Sequence, residues 1–314
     1  MMKAAPWALE LQGHRGARGL SPENTLPGFA HALGIGVSAF ELDCAITRDG
    51  VVVISHDPLL NPDITRTPDG KWLDAAGPAI FQLSYAEVLR YDVGRIKPGS
   101  EYAGRFSGQQ PVDGTRIPRL ADLFALTAKA GNDTVRFNLE LKLSPFRREQ
   151  TADPATFARK VIAAVRDGNV AARTAILSFD WEPLKVVQEE APEIPTVYLT
   201  AQQAWQDNIL AARTASPWTE PLHVSRFGGS IPRMIEAAGG AVWSCYYEEI
   251  RRDLIDEARR LGLKVLVWTV NDMADMRRMI EWRVDGIVSD RPDLLRKVAG
   301  ELGIVLPRAT PVAP

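Results

Sequence analysis

A chain of 314 residues with a formal net charge of −2 and 46% hydrophobic residues can build one large core or two modest ones. The near-neutral balance leaves no basic footprint for nucleic acid, and no apolar run approaches the roughly 20 residues of a membrane span. The start, "MMKAAPWALELQGHRG", has one lysine and no apolar h-region. We therefore expect a cytoplasmic protein as the sequence stands, or a periplasmic one if a leader has been removed. Cys44 and Cys245 fall far apart in predicted strands and read as buried free thiols, and no Cys/His spacing suggests zinc.

Strand-like runs and amphipathic helical patterns alternate along the chain. Leu9–His14 reads as a strand, and Asn24 can cap a helix over Thr25–Leu33 that Gly34 and Gly36 end. Ala39–Ile46 is the next strand, with Val51–Ser55 a further β-branched run beside it. Leu120–Ala130 reads as helix, Arg136–Leu143 as strand, Pro154–Arg166 as helix, Ala175–Phe179 as strand and Glu182–Glu190 as helix. Thr196–Leu199 is a strand, Pro232–Ala238 a helix, Val242–Tyr247 a strand and Arg251–Leu261 a helix. Lys264–Val270, Ala274–Trp282, Gly286–Ser289 and Pro292–Leu302 close the series as strand, helix, strand and helix.

This rhythm predicts an α/β chain whose parallel strands close into a (β/α)8 TIM barrel, one catalytic domain over 1–314. A doubly wound open sheet is the runner-up, but its G-x-G-x-x-G marker is missing from the first strand–helix turn. The stretch 58–118 breaks the rhythm and is rich in Pro, Gly and Asp. We expect it to be an inserted loop or small subdomain on the barrel's C-terminal face, after the second strand. The last residues, "LPRATPVAP", read as a flexible tail.

In such a barrel the chemistry lies where strands end. Glu41 and Asp43 are two apart on the second strand and point to one side. Neighbouring buried carboxylates repel each other unless a cation lies between them or a base pairs with them. A hard divalent ion, calcium or magnesium, suits oxygen-only ligands; ion pairs with Arg15 or Lys142 are the plainer alternative. Glu140 and Lys142 repeat the device on the next long strand. Glu140 could complete a metal site, and Lys142 could hold an anion or balance the carboxylates. His14 and His56 each follow a strand-like run beside these acids, which points to acid–base work, whereas His31 and His223 carry no such signal. Arg15 lies in a turn with Gly16 and Gly19 that can bring backbone N–H groups close to an anion. A cation, an arginine, a lysine and two histidines together suit phosphoryl chemistry.

The segments "HRGARGLSPENTLPGFAHAL", "FELDCAITRDGVVVISHDPLL", "FNLELK", "VWTVN" and "DGIVSDRPDLL" run from about Gly13 to Leu295. In this order they resemble the glycerophosphodiester phosphodiesterase family. The resemblance implies a (β/α)8 barrel with a small insertion after the second strand. It implies His14 and His56 as the acid–base pair, and Glu41, Asp43 and Glu140 as ligands of one divalent cation, Ca2+ or Mg2+. Arg15 and Lys142 would contact phosphate, and Trp268 would line the glycerol or alcohol side, a core tryptophan being the alternative. The expected reaction hydrolyses a glycerophosphodiester, such as glycerophosphocholine, to an alcohol and sn-glycerol 3-phosphate. Either water attacks directly or a glycerol hydroxyl attacks first and forms a cyclic phosphate.

Three other readings compete. A related phospholipase D-like barrel would act on lysophospholipids or other phosphodiesters, but the aromatics of the insertion are diluted by Gly, Asp and Arg. A glycosidase would use Glu41 and Glu140 and leave the histidines, Arg15 and Lys142 without roles. A non-enzymatic phosphate-binding barrel would not need the full catalytic set. The expected partner is therefore a small-molecule diester, with no nucleic acid and no stable membrane insertion.

Overall fold

A strand in a closed barrel needs two kinds of side chain, one parity facing inward and the other facing the helices. The computed structural model describes residues 7–314, so the leader reading, which rests partly on the first six, lies outside the described residues. The elements run β1 (Glu10–His14), α1 (Leu26–Ile35), β2 (Ala39–Ile46), β3 (Val52–Ile54), α2 (Tyr85–Val88) and α3 (Glu101–Arg105). Then come α4 (Leu120–Lys129), β4 (Arg136–Leu141), α5 (Pro154–Asp167), β5 (Thr174–Ser178), α6 (Glu182–Glu190) and β6 (Thr196–Thr200). A short ladder of β7 (Gln202–Gln203) and β8 (Gln206–Asp207) precedes α7 (Ile231–Ala237) and β9 (Val242–Tyr246). The chain ends with α8 (Arg252–Arg260), β10 (Lys264–Trp268), α9 (Met273–Glu281), β11 (Gly286–Ser289) and α10 (Pro292–Glu301).

Eight strands follow the order β1, β11, β10, β9, β6, β5, β4, β2, and pairing of β1 with β2 closes the ring. Every contact in that ring is parallel, while β3 folds back antiparallel on the end of β2, Cys44 opposite Ile54. The fold is the (β/α)8 TIM barrel.

Parity decides what is inside. Leu11, Phe40, Leu42, Phe137 and Leu139 belong to the large core between sheet and helices. Phe40 meets Phe29 of α1 at 5.2 Å and Phe137 meets Phe124 of α4 at 4.9 Å. Each fully buried ring of this kind contributes roughly 1.5–3 kcal/mol. The opposite parity fills the barrel: Ala175, Leu177, Val197, Leu199, Val242 and Leu266 form a separate apolar cluster. Glu41, Asp43 and Glu140 have this inward parity, so the sheet itself forces them together.

Element ends move by a residue or two from the sequence reading, and two expectations need larger correction. Asn24 does not cap α1; Thr25 does, its Oγ1 accepting from the Gly28 amide at 3.2 Å. Asn24 instead adopts φ 55°, a left-handed conformation that Asn tolerates. The final residues are not a loose tail. The Thr310 amide donates to the Leu33 carbonyl at 2.9 Å, Asn132 donates to Thr310 Oγ1 at 3.0 Å, and Lys129 donates to the Ala313 carbonyl at 2.9 Å. Leu306 and Val312 pack against the main core, and Arg296 ties Pro307 to Gly36 through two carbonyls at 2.7 Å. Both thiols, Cys44 and Cys245, are free and buried.

The segment between β3 and α4 builds a small core of its own. Leu60, Ile80, Val88, Val93 and Ile117 pack on Ala45 and Val53 of the β2–β3 hairpin. Its Gln110 amide donates to the Leu20 carbonyl at 2.9 Å, which places it over the loop that follows β1, at the C-terminal ends of the strands.

Candidate active site

Register brings the acids together: Asp43 pairs opposite Glu140 in the β2–β4 ladder, and Glu41 stands two residues earlier on β2. One oxygen from each of Glu41, Asp43 and Glu140 lies within 4.8 Å of the others, and all three residues are buried. The ion-pair alternative holds for two of them. Arg15 Nε is 3.3 Å from Asp43 Oδ2, and Lys142 Nζ is 3.6 Å from Asp43 Oδ1 and 2.7 Å from Glu140 Oε1. Lys142 follows the end of β4 rather than lying within it.

Glu41 is different. Its Oε2 is buried with no hydrogen-bond partner, and the basic atom beside it is His14 Nε2, at 3.6 Å. Burial, then Asp43 and Glu140, push the Glu41 carboxyl well above the usual carboxylate range. Burial also raises Asp43, but Arg15, His56 and Lys142 outweigh it and hold that carboxyl below its ordinary value. Glu140 is raised by burial. A buried triad of this kind keeps a proton or faces a cation. An orphaned carboxylate oxygen inside an all-oxygen set fits a hard divalent ion, for which calcium and magnesium are the common cases.

The two histidines are held alike. His14 Nδ1 is 2.6 Å from Asp290 Oδ1, and His56 Nδ1 is 2.8 Å from Asp57 Oδ1. A carboxylate at Nδ1 fixes that nitrogen as the N–H and leaves Nε2 with its lone pair. Burial, then Arg18, lower His14 to about 4 against the opposing pull of Asp290. Burial, then Arg15 and Lys142, hold His56 well below the usual histidine value. His31 bonds Ser21 at 2.7 Å and His223 bonds Ser225 at 2.8 Å, both in local turns away from this cluster.

Several partners were missed by sequence reasoning. Asp290 stands just past the last barrel strand and also binds Arg18, whose Nε is 2.7 Å from Oδ1. Its signal was available, as an acid directly after "GIVS" that barrel closure must bring beside β1. Arg18 is four residues from His14 in the same turn. Asn24 donates to Asp43 Oδ2 at 2.8 Å, which is why its backbone is left-handed. Glu23 accepts from Arg15 at 2.7 Å and from the Tyr102 hydroxyl of α3, so the insertion reaches into the site. Tyr102 carried no local sequence signal. Trp268 ends β10 inside the barrel, half-buried against Phe179 at 5.5 Å, and its Nε1 is buried without a partner.

A model of the glycerophosphoryl diester phosphodiesterase family matches residues 14–294. A glycerophosphodiester phosphodiesterase of Caldanaerobacter subterraneus subsp. tengcongensis is 28% identical over 286 residues, covering 90% of this chain and 94% of that one. A solved structure from Silicibacter pomeroyi DSS-3 that bears the same family's name is 36% identical with a TM-score of 0.84, covering 96% of each chain. An Oleispira antarctica phosphodiesterase, solved with its product sn-glycerol-3-phosphate, shares the fold at 22% identity and a TM-score of 0.65, covering 94% of this chain and 97% of that one.

Proposed function

We propose, for a chain that belongs to the glycerophosphoryl diester phosphodiesterase family and is therefore a phosphodiester hydrolase, that it cleaves glycerophosphodiesters to an alcohol and sn-glycerol 3-phosphate with the aid of one divalent cation. One observation carries the reading: the unpartnered Glu41 Oε2 lies in a buried acidic triad, with His14 Nε2 3.6 Å away. Cation-ready oxygens and a proton-transfer nitrogen thus face one space.

Glu41, Asp43 and Glu140 would hold the ion, whose chemistry is to neutralise charge on the phosphoryl oxygens. Arg15 is fixed by Glu23 and Asp43, and Lys142 by Glu140, so both cations are pre-aligned for the anionic diester. His14 and His56 divide the proton work at Nε2. One takes the proton of the attacking hydroxyl or water, and the other delivers one to the departing alkoxide. The carboxylate behind each ring stabilises the imidazolium form as it appears.

The test follows glycerol 3-phosphate release from glycerophosphocholine by phosphorus NMR with calcium, with magnesium and with excess chelator. Release with metal that stops in chelator is expected, and the same spectra report any cyclic phosphate. His14→Ala and His56→Ala should each lose about 100-fold or more in kcat while remaining folded by circular dichroism. Turnover in chelator equal to that in metal overturns the metal role; near-normal turnover of either variant overturns the proton-transfer pair.

A further inference from the structure

The mouth of the barrel is chemically divided. The ends of β1, β2 and β4 carry the histidine and the carboxylates, whereas the ends of β5, β9 and β10 carry rings. Phe179 follows β5 and Trp268 ends β10, yet their rings meet at 5.5 Å and 88°, across a gap that β6 and β9 span in the sheet. Tyr246, at the end of β9, lies 5.7 Å from Trp268. Trp205, in the turn between β7 and β8, meets Tyr246 at 5.4 Å and 85° and Trp268 at 6.0 Å and 75°. Rings crossing near a right angle form walls rather than a stack.

Two further features point to a ligand. Trp268 Nε1 is a buried donor with no partner, which is costly unless an acceptor meets it. Trp205 is 61% exposed although it belongs to the ring cluster, so one wall stands open to solvent. The cluster also has an anionic border. Glu248 accepts from the Tyr247 hydroxyl at 3.0 Å, and Glu249 from the Gln202 amide and the Gln203 side chain, both at 2.8 Å. Among the described residues neither carboxylate forms an ion pair, so their charge is uncompensated. Burial, then Glu248, raise the Tyr246 phenol, which shows that the charge is felt at the ring.

We propose that Phe179, Trp205, Tyr246 and Trp268, bordered by Glu248 and Glu249, form the subsite for the leaving alcohol and select a quaternary ammonium head group. The inference rests on the phosphodiesterase reading above and adds to it the class of substrate. Ring faces attract a large, weakly hydrated cation, and nearby carboxylates reinforce that attraction. A trimethylammonium group has no N–H or O–H to leave stranded against the rings. A polyol would strand its hydroxyls there, so the glycerol arm belongs on the polar half of the mouth, beside Arg15 and the insertion.

The experiment compares kcat/KM for two diesters that share the glycerophosphate half: the choline diester and its neutral carbon isostere, the 3,3-dimethylbutyl diester. The choline diester is expected to be favoured by about tenfold or more. Trp205→Ala should bring that ratio towards one, mainly through KM, and Trp205→Phe should keep part of it. Equal use of the two diesters by the wild type, or an unchanged ratio in Trp205→Ala, overturns the proposal. Calorimetry with tetramethylammonium separates this failure from failure of the hydrolase reading. If neither diester is cleaved, saturable binding that is lost in Trp205→Ala still supports the subsite, and absence of binding overturns it.

Discussion

Glu41 and Asp290 show how differently two buried carboxylates can be treated. Glu41 is left with an orphaned oxygen among like charges, so removing its charge should stabilise the metal-free chain. We expect Glu41→Gln to raise Tm in chelator by about 3 °C. The same variant should lose the additional rise that calcium or magnesium gives the wild type, because only a ligand bound to the folded state raises Tm. A lower Tm in chelator, or a preserved metal response, contradicts that account. Asp290 is the opposite case. Burial raises it, but His14 and Arg18 outweigh burial and hold it below its ordinary value. A depressed carboxylate contributes stability above its unfolded pKa of about 3.9, and that contribution is lost as pH falls towards the folded value. Asp290→Asn should therefore flatten the loss of stability below about pH 4 in urea titrations. It should also lower kcat about 100-fold, since Nδ1 of His14 loses the charge that stabilises its imidazolium. A normal kcat would remove Asp290 from proton transfer.

At the scale of elements, the strands were legible because burial on two faces leaves a double pattern. Phe40, Leu42 and Cys44 alternate with Glu41 and Asp43, and few structures other than a barrel with an active mouth would bury both sets. Helix α5 was legible from its start, where Asp153 caps the Thr156 amide at 2.9 Å and Pro154 opens the first turn. The cap of α1 was misread because Asn24 is a good cap in isolation, and only the distant Asp43 diverts it. Tyr102 could not be found at all, since its value depends on how the insertion folds back over the loop after β1. Helix α3 brings its hydroxyl to Glu23, the residue that aims Arg15, and seats Phe106 under Arg18 at 4.5 Å. Tyr102 is thus a positioning residue. Tyr102→Phe should raise KM several-fold with kcat and Tm nearly unchanged, and steady-state kinetics would show it. A fall in Tm without a change in KM would make the contact merely structural.

For the molecule as a whole, the closed ring was readable from eight repeating units, but its closure chemistry was not. The β1–β11 contact joins residues almost 280 positions apart, and that contact is what gives His14 its aspartate. The C-terminal segment was misjudged for a related reason: its composition suits a tail, and only the surface left by α1, α4 and α10 gives it a seat. Ending the chain at Gly303 should lower Tm by roughly 5 °C through lost packing of Ile304, Leu306 and Val312, with kcat unchanged. Calorimetric melting and turnover of the shortened chain check this together. The same seat fixes an orientation. The segment lies against the ends of α1 and α4, on the side of the barrel where strands begin, so its last residue emerges on the face opposite the mouth. A linker attached at Pro314 would therefore hang every molecule from an electrode or bead with its opening towards the liquid, making this barrel a naturally directional element for a surface-bound sensor.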